Sequence, residues 1–136
     1  MFQSVNHVAI YVKNREDAID FYRDILGAEL IFTLDNESDG ILIAMMQLGN
    51  MKIELLEPPE GKGEMAPAAE NTLNHFAVNV DDIEEAVNYI REKGFVFEDR
   101  IIYDVPHFGS PNLDLKVAFF RGPNGERIEL VQEFYK

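Results

Sequence analysis

The sequence predicts an α+β protein built from two copies of one strand–helix–strand–strand–strand module. Two repeats carry that prediction. "NHVAIYV" (Asn6 to Val12) returns as "NHFAVNV" (Asn74 to Val80), 68 residues on (75 − 7, counting from the histidines). "GNMKIELLE" (Gly49 to Glu57) returns as "NGERIELVQE" (Asn124 to Glu133) at an offset of 75 (129 − 54), so the second copy carries about seven extra residues (75 − 68). Two copies are too few for a solenoid and point to one fold made of paired modules.

Each module opens on a strand. Val8, Ile10 and Val12 alternate with His7, Ala9 and Tyr11, and Phe76, Val78 and Val80 alternate with His75, Ala77 and Asn79, the period of a pleated chain. A helix follows. Asn14 is its N-cap, Glu16 and Asp17 suit the positive end of the dipole, and Ala18, Phe21, Tyr22, Ile25 and Leu26 form one apolar side that Gly27 ends. In the second copy Asp82 and Glu85 make a capping box, Ile83, Ala86, Val87 and Ile90 form the stripe, and Gly94 stops it.

Three strand-like runs come next: Glu29 to Leu34, Ile41 to Leu48 and Met51 to Leu56, with turns at "NESDG" and "GN". The second copy offers Phe95 to Phe97, Leu115 to Phe120 and Arg127 to Gln132, with a turn at "GPNG". "DVPHFGSPNLD" reads as a loop that holds the extra length. The expected organisation is one domain over residues 1–136, with module one at about 1–58, a Pro-, Gly- and Glu-rich linker at about 59–72, and module two at about 73–136.

Composition excludes several functions. With no cysteine there is neither a disulfide framework nor a thiolate metal site. Twelve basic against 25 acidic residues give a net charge of −13, which repels nucleic acid and anionic lipid in the absence of a Lys/Arg cluster. The longest apolar runs, such as "GILIAMM", are too short to span a bilayer. The start of the chain lacks the layout of a secretion signal, so a cytoplasmic protein is expected.

His7, Glu54, His75 and Glu129 are the same two positions taken from both copies, each on the less apolar face of its strand. Imidazole nitrogen and carboxylate oxygen suit Zn²⁺, Ni²⁺, Co²⁺, Mn²⁺ or Fe²⁺. Two neutral histidines and two glutamates neutralise one divalent ion and leave two of six positions for water or substrate. Independent solvated residues do not usually reproduce both types at matched places, so the expectation is one divalent metal ion.

The chain resembles the vicinal oxygen chelate superfamily of glyoxalases, bleomycin-resistance proteins and ring-cleaving dioxygenases. The segments that carry the likeness are "NHVAIYVKNREDAIDFYRDILGAEL", "LGNMKIELLEP", "NHFAVNVDDIEEAVNYIREKG" and "FFRGPNGERIELVQ". The resemblance implies that two βαβββ modules form a half-open, curved, mixed β-sheet barrel around a metal site, with the helices packed outside. It also implies a homodimer. The His-Glu-His-Glu set resembles that of glyoxalase I, a lyase/isomerase that moves a proton next to a metal-bound carbonyl through an enediolate. By that likeness Glu129 is the base, with Glu54 the alternative.

Methylmalonyl-CoA epimerase is the close rival, because "LGNMKIELLEP" resembles its first module at least as well. A ring-cleaving dioxygenase needs three open positions on Fe²⁺, one of which Glu54 would fill. A bleomycin-resistance-type binding protein needs no metal. On the leading readings the partner is a small carbonyl or thioester substrate. Lys52 and Arg127, two residues from the glutamates on the same strand face, are candidate substrate-binding cations from a pool that also holds Arg15, Arg23, Arg100 and Lys116. His107 lies in a loop as a candidate gating contact, and Met45, Met46, Phe119 and Phe120 are candidates for pocket or core.

Overall fold

A computed structural model describes residues 1, 3–59, 75–108 and 110–136. The expected linker lies outside these apart from Pro59, as does Asn74 of the repeated motif. The chain divides into two units, Met1–Pro67 and Ala68–Lys136. No helix among the described residues is long and apolar enough to cross a membrane.

In the first unit the order is β1 (His7–Tyr11), α1 (Arg15–Asp20) continued by a π-helical turn (Phe21–Ile25), β2 (Glu29–Asp35), β3 (Leu42–Leu48) and β4 (Met51–Glu57). The sheet order is β1-β4-β3-β2, with β1 parallel to β4 and the other pairs antiparallel. Asn14 caps α1, its side chain accepting from the Asp17 N–H at 2.9 Å. The π turn is the Leu26 N–H donating to the Phe21 carbonyl at 3.2 Å, after which Gly27 takes the left-handed φ of 79° that stops the helix.

Helix α1 packs on β3 and β4. Ile53 and Leu55 of β4 pair with Met46 and Ala44 of β3, and all four are buried with Ala18, Ile19, Phe21 and Tyr22. Each of the large apolar side chains contributes about 1.5–3 kcal/mol by leaving water. The alternate residues of the same strands, Lys52 and Glu54 among them, are therefore held on the opposite face.

The second unit repeats the plan with β5 (Phe76–Asn79), α2 (Ile83–Glu92), β6 (Tyr103–Val105), β7 (Leu113–Arg121) and β8 (Arg127–Tyr135), in the order β5-β8-β7-β6. Asp82 accepts from the Glu85 N–H at 3.1 Å, and Ile83, Val87 and Ile90 are the buried stripe that packs α2 on β7 and β8. The half-open mixed sheet expected of each module fits both units.

One strand assignment is corrected. Phe95 to Phe97 does not form a strand; only Phe97 makes an isolated bridge, to Phe120. Phe95 and Phe97 instead pack their rings on Phe120 at 5.8 and 5.3 Å, while Val96 between them is 84% exposed. The ladder place goes to Tyr103–Val105, where Tyr103 pairs with Val117 and Val105 with Leu115, so the segment read as a loop from Asp104 to Asp114 holds strand residues at both ends.

Register locates the extra residues. Leu34, Ile43 and Leu56 form one cross-strand row in the first sheet, and Tyr103, Val117 and Val131 form the equivalent row in the second. The offsets are 69 (103 − 34), 74 (117 − 43) and 75 (131 − 56). Five of the seven extra residues (74 − 69) therefore enter between β6 and β7.

Candidate metal centre

In each unit the parallel pair of strands places an imidazole and a carboxylate on one face. Ala9 pairs with Glu54 and Ala77 with Glu129. His7 and His75 stand two residues earlier, diagonal to those glutamates, and the small alanine directly opposite leaves the carboxylate room to reach them. His7 Nε2 lies 3.7 Å from Glu54 Oε1, and His75 Nε2 lies 3.0 Å from Glu129 Oε2. All four side chains are partly exposed, the glutamates less so than the histidines.

His7 Nδ1 is 2.8 Å from Asn6 Oδ1. An amide oxygen only accepts, so the contact fits a ring with hydrogen on Nδ1. In the tautomer with no hydrogen on Nε2, that nitrogen and the Glu54 carboxylate are two acceptors that a cation between them would satisfy. Metal-ligating histidines are commonly oriented by a hydrogen-bond acceptor on the far nitrogen, the place that Asn6 Oδ1 takes here. The donor set in each unit therefore fits a divalent metal. Among the described residues, no three or more His, Asp or Glu side chains gather into a group able to hold an ion; each pair stands as two donors.

The neighbours of the two glutamates are also matched by register, but not by chemistry. Met45 pairs with Glu54, and Phe119 pairs with Glu129. Phe119 meets His75 edge to face at 5.5 Å, and the Arg127 guanidinium lies 4.0 Å from the Phe119 ring centre. Arg127 donates two hydrogen bonds of 2.9 Å to Glu98. That bidentate contact raises the Arg127 pKa and lowers that of the Glu98 carboxyl. In the first unit Lys52 takes the place of Arg127, pairing with His7 and with Gln47.

The other sequence candidates are dispersed. His107 sits on an exposed bend with φ of 55°, its N–H donating to Asp114 Oδ1 at 3.0 Å. Met46 and Phe120 are core, fully buried. Arg15 is bound to Asp35 and Arg23 to Asp20 and Asp24. A pocket of about 330 Å³ lined by Asp104, Val105, Lys116 and Phe134 lies at the β6 side of the second sheet and contains none of the four candidate ligands.

Sequence reasoning missed Glu98, whose partner is 29 residues away. It also missed a matched strut in both units. Glu57 Oε1 accepts from the Arg15 N–H at 2.5 Å, and Gln132 Oε1 accepts from the Ile83 N–H at 2.8 Å. These pairs are equivalent at the two offsets (83 − 15 = 68, 132 − 57 = 75). Each ties the first turn of the helix to the strand that carries the glutamate, and the shared oxygen acceptor was the available signal.

The family model described as the Glyoxalase/Bleomycin resistance protein/Dioxygenase superfamily matches residues 4–130. The chain is 36% identical over 101 residues to the ethylmalonyl-CoA/methylmalonyl-CoA epimerase of Cereibacter sphaeroides, a match covering 69% of this chain and 73% of that protein. It is 32% identical over 93 residues to the mitochondrial methylmalonyl-CoA epimerase of Mus musculus, covering 65% of this chain and 52%, about half, of that relative. Among solved structures, a glyoxalase family protein from Enterococcus faecalis superposes with a TM-score of 0.76 at 25% identity, covering 96% of this chain and 98% of that one.

Proposed function

Because this chain belongs to the Glyoxalase/Bleomycin resistance protein/Dioxygenase superfamily, we propose that it is a metal-assisted epimerase of a 2-substituted malonyl thioester of coenzyme A. The observation that carries the reading is the imidazole–carboxylate pair found at the same register in both modules. The names of the relatives support the epimerase over the glyoxalase I type, which shares the first proton transfer and differs in where the proton returns.

On this reading His7, Glu54, His75 and Glu129 hold one divalent ion, its identity among nickel, zinc, cobalt, manganese and iron being open to the donor set. When bound, such an ion supplies Lewis acidity toward carbonyl oxygen. The chain's own groups move the proton. Glu129 presents Oε2 to His75, which leaves Oε1 to take the proton from the carbon between thioester and carboxylate. Inversion requires delivery to the opposite side of that carbon; Glu54, the matched second carboxylate, would pass on a proton taken from solvent, while Glu129 gives its own to solvent to reset the site.

The test is α-proton exchange in D2O on a single stereoisomer of methylmalonyl-CoA, using protein reconstituted with each metal. Glu129→Gln is expected to retain some metal and, compared at equal metal content, to lose about 100-fold or more in exchange. Wild-type exchange in that variant removes Glu129 from the mechanism. Turnover of methylglyoxal with a thiol, and none of methylmalonyl-CoA, replaces the epimerase with the glyoxalase I reading. His75→Ala is expected to abolish stoichiometric metal, and unchanged metal content overturns the ligand assignment. A homodimer is the assembly proposed, and light scattering on the metal-loaded protein decides it.

A further inference from the structure

The duplication puts one cation at the same place in each module, Lys52 and Arg127, 75 residues apart (127 − 52) and two residues before the glutamates. Their surroundings have diverged. Arg127 is committed, with both arms of its fork on Glu98 and its plane on the Phe119 ring. Lys52 is half-buried and shares a face with His7 and Glu54, and its side chain makes no hydrogen bond, ion pair or ring contact among the described residues.

Charge balance says what such an ammonium is suited to. Two neutral imidazoles, two carboxylates and one divalent ion sum to zero. A 2-substituted malonyl thioester adds one negative charge in its free carboxylate, next to the carbon that reacts. Moving the proton from that carbon to Glu129 leaves the total unchanged and shifts negative charge onto the acyl group. The coenzyme A phosphates, at the far end of the pantetheine arm, are not the anions that reach this position. A cation paired across the strands with His7, and without a side-chain partner among the described residues, offsets the carboxylate's charge and the charge shifted onto the acyl group.

We infer that Lys52 is the specificity-determining cation that receives the free carboxylate of the acyl group, and that Arg127 does not share this role. The inference rests on the proposed function and names how the site tells a dicarboxylic thioester from a simple acyl one. Arg127 instead braces the second module, holding Phe119 against His75.

The experiment is calorimetric binding of malonyl-CoA, acetyl-CoA and free coenzyme A to the metal-loaded protein, with metal content and folding verified for each variant. Wild type is expected to prefer malonyl-CoA. Lys52→Met, which keeps the apolar stem without the charge, is expected to weaken malonyl-CoA about 10- to 100-fold, the range of one charge-assisted hydrogen bond. Acetyl-CoA should stay within about twofold, and Lys52→Arg should restore most of the preference. Arg127→Met should leave the malonyl-to-acetyl ratio unchanged. An equal loss for all three ligands means that Lys52 reads the coenzyme, and an unchanged ratio in Lys52→Met means that it reads nothing; either overturns the inference while leaving the epimerase reading intact. A collapsed ratio in Arg127→Met overturns the division between the two cations. Metal-loaded wild type that binds neither thioester sinks the function reading, and this inference with it.

Discussion

Removing the Glu98 carboxylate tests the brace behind His75. Glu98→Ala deletes two 2.9 Å charge-assisted hydrogen bonds between side chains that are 35% and 23% exposed. Fully sheltered, each such bond contributes about 1.5–3 kcal/mol, whereas an exposed ion pair contributes about 0.2–1 kcal/mol in all. With roughly a third of the carboxylate in water the expected cost is about 1–2 kcal/mol, read by urea denaturation. A double-mutant cycle with Arg127→Ala should return a coupling of about 1 kcal/mol.

The sign of the pH dependence follows from the carboxyl's lowered pKa, whose first cause is the hydrogen bond from Arg127. A depressed carboxyl stabilises the fold fully above its unfolded value of about 4.3 and loses that contribution as pH falls through the folded value. The difference between wild type and Glu98→Ala should therefore be complete at pH 7 and shrink as pH falls below the unfolded value and through the lowered folded one. A coupling below about 0.3 kcal/mol, or a difference that persists in acid, would refute the brace. Metal affinity in Glu98→Ala should fall less than about 10-fold, because Phe119 and not Glu98 touches the imidazole.

The helix struts give a conservative and a severe change to compare. Glu57→Gln should alter stability by less than about 0.5 kcal/mol, since the second module already uses Gln132 for the same bond, whereas Gln132→Ala should cost about 1 kcal/mol. A large cost for Glu57→Gln would show that the carboxylate charge, rather than an oxygen acceptor, is needed. Asn6→Ala should weaken metal binding about 10-fold by freeing the His7 tautomer; calorimetry that finds the wild-type affinity removes Asn6 from the centre.

The duplicated modules were legible because the repeat preserves the residues that set register. His7 with Glu54 and His75 with Glu129 stand at one diagonal of one parallel pair, and the intervening offset change from 68 to 75 did not obscure it. The strand at Tyr103–Val105 was not legible. "FVF" has the stronger β pattern, and its two aromatic rings were drawn to Phe120 by packing that only the tertiary structure supplies. Arg100, with φ of 56°, follows in the stretch that leads from those rings to Tyr103. The unequal fates of Lys52 and Arg127 were hidden for the same reason, because Glu98 sits in that stretch and meets Arg127 only in the tertiary structure.

The insertion between β6 and β7 lengthens a connection without disturbing the ladder that holds His75 beside Glu129. A change of length there is absorbed outside the hydrogen-bonded rows, so the spacing of that imidazole from its carboxylate is inherited unchanged whatever the connection carries.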